Sequence, residues 1–214
     1  MENLTIRCSS LWKIMGSGKG PHGLTATATT YIKQLVKQQL FEYTTEINSK
    51  YFDKGIDCEN DAIKLYNDHF FTAHEKNEVK VVNEWITGTC DINAPNLIID
   101  TKCSWDADTF PATIEDAETS CKKAGYEWQL RGYMWLYNKD NAQLVYALVD
   151  TPEYLIEYVN DRSAHEVDHL DPGLRLTVLK FSRDTAKEEL IKTKVEAARL
   201  FAVEYKNQII NKNK

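Results

Sequence analysis

Apolar residues at 31, 32, 35, 36 and 40 of TTYIKQLVKQQLF recur at helical intervals, which predicts an amphipathic helix with one buried face. In DCENDAIKLYNDHFF a second helical stripe sets Ala62, Ile63, Tyr66 and Phe70 on one side, with Asp57 as its cap and Glu59 in its first turn. The period then changes. EVKVVNEWITGTCDI and NLIIDTKCSW are rich in β-branched residues and flank the turn-forming NAPN, so they predict two strands joined as a hairpin. Helical spacing returns in DAETSCKKAGYEWQLRGYMWLYN, from near 116 and certainly over 126–137. AQLVYALVD and LRLTVLKF predict further strands, separated by the polar VNDRSAHEVDHLDPG, and an amphipathic C-terminal helix runs from about 183 to 210.

The Gly-rich GSGKGPHG reads as a loop before the first helix. It is not a phosphate-binding P-loop: the pattern would need glycine where Lys13 stands and Ser or Thr where Gly20 follows Lys19. Nucleotide hydrolysis is excluded on that mismatch. Neither repeats nor low-complexity tracts interrupt the chain.

With 214 residues, 43% of them hydrophobic, the chain suits one sizeable core. The expectation is a single domain over 1–214, with an N-terminal helical segment at 1–54, a central part at about 55–150, and the C-terminal helix. No stretch approaches the roughly 20 apolar residues of a membrane span, and MENLTIRCSS has no basic region followed by an apolar one. A cytoplasmic protein without a membrane partner is expected. Cysteines 8, 58, 90, 103 and 121 are odd in number and lack ligand spacing, so neither a disulfide framework nor a structural zinc is expected. A net charge of −6 excludes a globally basic surface, but Lys and Arg clusters at 33–37, 122–123 and 180–194 leave room for a basic groove.

The candidate chemistry lies where Leu97-Ile98-Ile99 runs into Asp100-Thr101-Lys102. In a strand, residues two apart share a face, so Asp100 and Lys102 project together and Thr101 points away. Asp91, ending the preceding strand, pairs across the hairpin beside Asp100. Two converging carboxylates repel unless a cation lies between them, and hard oxygen ligands select Mg²⁺ or Mn²⁺. Lys102 then stands where it polarises a water or a phosphate oxygen.

Asp91, Asp100-Thr101-Lys102 and the upstream Glu59 together resemble the PD-(D/E)xK nuclease superfamily, and Gln129-Leu130-Arg131-Gly132-Tyr133 resembles the QxxxY element of its exonuclease branch. Gly55, Glu59, Ala62 and Tyr66 in GIDCENDAIKLY are similar to the helix before the core of phage lambda-type and related viral recombination exonucleases. Cys90, not proline, precedes Asp91. The resemblance implies an α/β/α sandwich around a central mixed sheet and a Mg²⁺-dependent DNA exonuclease, with Mn²⁺ as substitute, acting 5′ to 3′ on duplex ends in phage recombination. It implies that Asp91, Asp100 and the Thr101 carbonyl bind the metal, with Glu59 completing the shell directly or through water, and that Lys102 orients or deprotonates the attacking water. Gln129 and Tyr133, one helical turn apart, would hold the DNA backbone or the water on the metal. Arg7 with Ser9 or Ser10 would grip a terminal 5′-phosphate, with Arg131 a further substrate contact. Ring-shaped trimers, a phage single-strand annealing partner and the host cytoplasm follow from the same resemblance.

Competing readings are a structure- or site-specific endonuclease of the same superfamily, a non-enzymatic DNA-binding module, and a zinc protease, because His165-Glu166-Val167-Asp168-His169 matches HExxH. That motif needs both histidines on one face of a stable buried helix, and the flanks here lack apolar periodicity. An iron–sulfur nuclease is excluded because no cysteine follows Cys121.

Overall fold

Ile98 and Ile99, adjacent on one strand and each wholly buried, serve two different cores. The computed structural model, which describes residues 3–45 and 49–213, is therefore layered. The ends of the expected 1–214 domain, 1–2 and 214, lie outside the described residues, as do 46–48 within its N-terminal segment.

Seven strands are present among the described residues: β1 (Ile6–Arg7), β2 (Val81–Val82), β3 (Ile86–Gly88), β4 (Ile92–Ala94), β5 (Leu97–Cys103), β6 (Asn141–Ala147) and β7 (Leu176–Ser182). They form two mixed sheets, of order β1-β3-β2 and β4-β5-β6-β7. In the larger sheet β5 and β6 run parallel, whereas β4 and β7 are antiparallel to their neighbours. Helices are α1 (Trp12–Met15), α2 (Ala26–Leu40), α3 (Lys50–Asp57), α4 (Glu59–Phe70), α5 (Ile114–Ala124), α6 (Tyr126–Leu136) and α7 (Thr185–Asn211). One face of the larger sheet, with Ile98, Leu144 and Leu179, packs against Leu130 and Met134 of α6 and Ile191 of α7. The opposite face, with Ile99 and Val145, packs against Ile63 and Tyr66 of α4. This is the expected α/β/α arrangement, its strands divided between two sheets.

Local departures from the expected elements have identifiable causes. The stretch expected as one long strand breaks into β2, β3 and β4, because Asn83 accepts from the amides of Trp85 and Ile86 and turns the chain. The hairpin is consequently the short β4–β5 pair. Asp57 does not cap α4: it is the last residue of α3, unforeseen in the sequence, and its carboxylate accepts from the Tyr154 hydroxyl at 2.6 Å. The N-terminal segment is not wholly helical, since β1 joins β3 in parallel. The helix expected through 116–137 is interrupted at Gly125, whose φ of +73° ends α5 and whose missing Cβ would lie 2.3 Å from Cβ of Trp12. Asp184 caps α7 by accepting from the amides of Ala186 and Lys187.

Candidate active site

β4 pairs with β5 only as far as Ile99, whereas β6 follows β5 to Cys103. Beyond Ile99 one edge of β5 is therefore open, and Asp91 occupies it. Its Oδ2 accepts from the Thr101 amide at 2.6 Å and the Thr101 hydroxyl at 2.9 Å. In an extended strand a residue's N–H and C=O leave on the same side, so the Thr101 carbonyl also faces this edge. Asp91 precedes β4 instead of ending a strand, but the register that opposes Ile92 to Ile99 carries it toward Asp100, as expected.

Asp100 and Lys102 share the α6 face of the sheet. Asp100 is 1% exposed; its Oδ2 lies 2.6 Å from Lys102 Nζ, and its Oδ1 accepts from Gln129 Nε2 at 3.1 Å. The same amide group donates to the Tyr133 hydroxyl at 3.0 Å, so Gln129 joins Asp100 to Tyr133. Gly88 permits this, because a Cβ there would stand 2.6 Å from the Tyr133 ring. From the α4 side Glu59 enters at the first turn of its helix, half-buried, and pairs with Lys76 at 3.2 Å.

Electrostatics show that these groups converge. Burial pushes the Asp100 carboxyl up to about 7; Lys102 opposes that rise, while Asp91 and Glu59 add to it. Glu59 is raised by burial and by Asp91, against Lys76 and Lys102. For Lys102, burial works to lower the pKa, but Asp100 and Asp91 outweigh it and hold the ammonium above its ordinary value. Burial raises the Tyr133 phenol, and Asp100 raises it further.

The donor set fits a hard divalent cation. Among the described residues no three Asp, Glu, His or Cys side chains stand close enough together to hold a metal ion by themselves, so a cation here would also need the main-chain carbonyl and water. Asp100 Oδ2, however, is buried with the Lys102 ammonium at 2.6 Å as its one close polar neighbour, which leaves this oxygen with unused acceptor capacity. Asp91 and Glu59 are near enough to Asp100 for their charges to act on it, and the strand edge beside them also offers a main-chain carbonyl.

The remaining sequence expectations divide. Arg7 is exposed at the end of β1; Ser9 and Ser10 fall in the 3₁₀ turn Cys8–Ser10. Burial raises the Tyr31 phenol, while Ser10 and the charge of Arg7 work to lower it, which sets both near that ring. The segment reaches the site through Cys8, which packs between Gly88 and Gly132. Neither serine caps a helix, because α1 is a single turn that starts at Trp12. Arg131 is not brought to the site: two positions along α6 from Gln129 is about 200° around the helix. There it binds Glu127 and the Ser182 carbonyl and lies over Phe181. HEVDH forms turns, with His165 buried and its Nδ1 3.1 Å from the Thr151 hydroxyl, while His169 is exposed. The two histidines do not share a helix face.

Sequence reasoning missed two neighbours of the site. Tyr126, whose ring lies 4.8 Å from Lys102 Nζ, shares the α6 stripe of Gln129 and Tyr133, and helical spacing points to it. Lys76 lies in an irregular segment with no pattern to announce it.

A sandwich whose sheet edge carries Asp91, Asp100 and Lys102, with Glu59 from the preceding helix, defines a PD-(D/E)xK nuclease of the phage lambda type. The chain is 38% identical to a phage-related exonuclease from Haemophilus somnus 129PT over 99% of this chain and 97% of that one, with a TM-score of 0.88, and it belongs to that family of exonucleases. An alkaline exonuclease from Laribacter hongkongensis shares the fold at 17% identity, over 97% of this chain and 92% of that one, with a TM-score of 0.66. The same enzyme solved with dAMP gives 16% identity over 99% and 94%, again with a TM-score of 0.66. No family model matches the chain, and no curated protein matches it.

Proposed function

We propose that this exonuclease is a Mg²⁺-dependent deoxyribonuclease that degrades duplex DNA from its ends, in the 5′ to 3′ direction. The observation that carries the reading is the buried Asp100 carboxylate, paired with Lys102 at 2.6 Å, beside an open strand edge where Asp91 binds Thr101, with Glu59 near enough for its charge to be felt. Asp91, Asp100, Glu59 and the Thr101 carbonyl would hold Mg²⁺ or Mn²⁺, which supplies charge neutralisation on the scissile phosphate and makes water nucleophilic at neutral pH.

The residues of the chain do the rest. Lys102, kept protonated by Asp100 and Asp91, orients the attacking water or neutralises a phosphate oxygen; a deprotonating role is disfavoured by its raised pKa. Gln129 fixes the Asp100 carboxylate, and Tyr133, tied to Gln129, buttresses that amide. Arg7 and Ser10, beside Tyr31, provide an anion site for a 5′-phosphate. The Laribacter enzyme binds dAMP, which supports a deoxyribonucleotide substrate here.

Among the described residues no helix is long and apolar enough to cross a membrane, consistent with work on DNA. The family reading also carries a trimer, which light scattering of the purified chain tests. Timed digestion of linear duplexes labelled at the 5′ or the 3′ end, with Mg²⁺ and with EDTA, tests the function. Early release of the 5′ label in Mg²⁺ alone is expected; cutting of closed circles would favour the endonuclease.

A further inference from the structure

On the side of Lys102 away from Asp91, the surface opens into a cleft of about 440 Å³ that the carboxylate cluster does not use. Tyr51 of α3, Trp105 just past β5, Tyr126 of α6 and Tyr146 of β6 give it aromatic walls, and exposed Lys123 contributes a positive charge. Tyr146 is the cross-strand partner of Lys102, and the Tyr126 ring sits 4.8 Å from the Lys102 ammonium, so the cleft begins where the candidate catalytic lysine stands.

Two features set it apart from an ordinary surface groove. The Tyr146 hydroxyl is buried without a hydrogen-bond partner, on a residue 5% exposed that lines the cleft. Buried hydroxyls are normally satisfied, so one left without a partner on a cleft-lining residue points to a polar group that the cleft would receive. Trp105, in turn, is contacted on several sides. Lys50 Nζ lies 4.4 Å from its ring centre, and the rings of Tyr51 and His165 each meet it edge-on at 5.3 Å. Its carbonyl accepts from Lys54 Nζ at 2.9 Å and the Thr151 hydroxyl at 3.1 Å, and Thr151 also contacts His165. The first histidine of the HEVDH sequence thus supports an indole ring.

We propose that this cleft is a nucleobase subsite, which receives the base of the nucleotide adjoining the scissile phosphate against Trp105 and meets its polar edge with the Tyr146 hydroxyl. The occupant is a flat heteroaromatic ring because the walls are aromatic, the one unmet group is a hydroxyl, and Lys50 and Lys123 attract the anionic backbone that carries the base. Stacking makes the site tolerant of sequence. The proposal rests on the nuclease reading of Asp91, Asp100 and Lys102 and specifies where the substrate lies beside them.

The test titrates the full chain in EDTA with dAMP, with dTMP and with 2-deoxyribose 5-phosphate, following tryptophan fluorescence and confirming affinity by calorimetry. Both nucleotides should bind with quenching, and the sugar phosphate should bind at least tenfold more weakly. Trp105→Phe should remove most of the quench, and Trp105→Ala should weaken dAMP roughly five- to 100-fold, the range of one base–aromatic stack. Should Trp105→Ala fail to fold, Tyr146→Phe decides alone: dAMP affinity should drop severalfold while the melting temperature in EDTA holds or rises, because an unmet hydroxyl is removed. Unchanged dAMP affinity in Tyr146→Phe, or in a folded Trp105→Ala, or equal binding of the sugar phosphate, would overturn the subsite. DNA degradation alongside any of those results leaves the nuclease reading standing, whereas base binding by a chain that never degrades DNA in Mg²⁺ removes the nuclease reading and with it the subsite's placement beside a scissile phosphate.

Discussion

The Asp91 carboxylate closes the open edge of β5 by accepting from both the amide and the hydroxyl of Thr101, at 2.6 and 2.9 Å. A side chain here takes the place of a neighbouring strand. The edge is satisfied without a further strand, and the Thr101 carbonyl faces the same side as the amide that Asp91 binds.

Asp91 therefore holds the strand as well as the proposed metal. Asp91→Ala should abolish DNA degradation and also cost about 1.5–3 kcal/mol of stability, the range for hydrogen bonds to a charged acceptor. Lys102→Ala, which takes the ammonium from beside the buried Asp100 carboxylate, should lower the rate by roughly 10²-fold or more in a folded protein. Timed digestion together with thermal unfolding checks both; near wild-type rates in folded variants would reject the site.

If Asp100 holds Mg²⁺ as proposed, its raised carboxyl should make the affinity depend on pH. Burial holds its pKa at about 7, so below that value the folded protein carries a proton where the metal would bind. Binding should weaken as pH falls through 7 and level off above it. The half-saturating Mg²⁺ concentration should rise about tenfold per pH unit on the acid side, following single-proton competition. A requirement for Mg²⁺ that is flat between pH 6 and 8 would contradict the placement of Asp100 as a ligand.

The two histidines of HEVDH should behave differently. His165→Ala removes a buried ring bonded to Thr151 and set against Trp105, so a loss of about 1–3 kcal/mol is expected. His169→Ala, on an exposed side chain, should change stability by less than about 0.5 kcal/mol. Metal analysis of the purified protein should find no zinc that either substitution removes; stoichiometric zinc lost on mutation would restore the protease reading.

Arg7 should decide which DNA ends are preferred. A charge-assisted contact of about 1.5–3 kcal/mol corresponds to roughly one to two powers of ten in rate or affinity. Wild type should favour 5′-phosphorylated over 5′-hydroxyl duplexes by that factor, and Arg7→Ala should erase the preference at fixed salt. If both ends are degraded equally by wild type, no such pocket operates.

The sequence by itself determined the parts that depend on local spacing. Asp100 and Lys102 share a sheet face because strand side chains alternate, and Gln129 and Tyr133 share a helix face because four residues make about one turn. Helices α2, α4, α6 and α7 and strands β5, β6 and β7 were legible for the same reason: each buries an apolar stripe or run of the right period. Only the tertiary structure decided what meets across the chain. That Asp91 bonds Thr101, that Lys76 pairs with Glu59, and that Arg131 faces away are outcomes of how layers stack, which no local period encodes. α3 escaped notice because it spans eight residues only: Tyr51, Phe52 and Ile56 fall on one side at helical spacing, but over two turns such a pattern does not stand out, and the fold leaves those three exposed. HEVDH misled in the opposite direction. Its spacing is that of a zinc helix, but His165 is drawn into the core by Thr151 and Trp105, contacts from residues 14 and 60 positions away that outweigh any local preference for a helix.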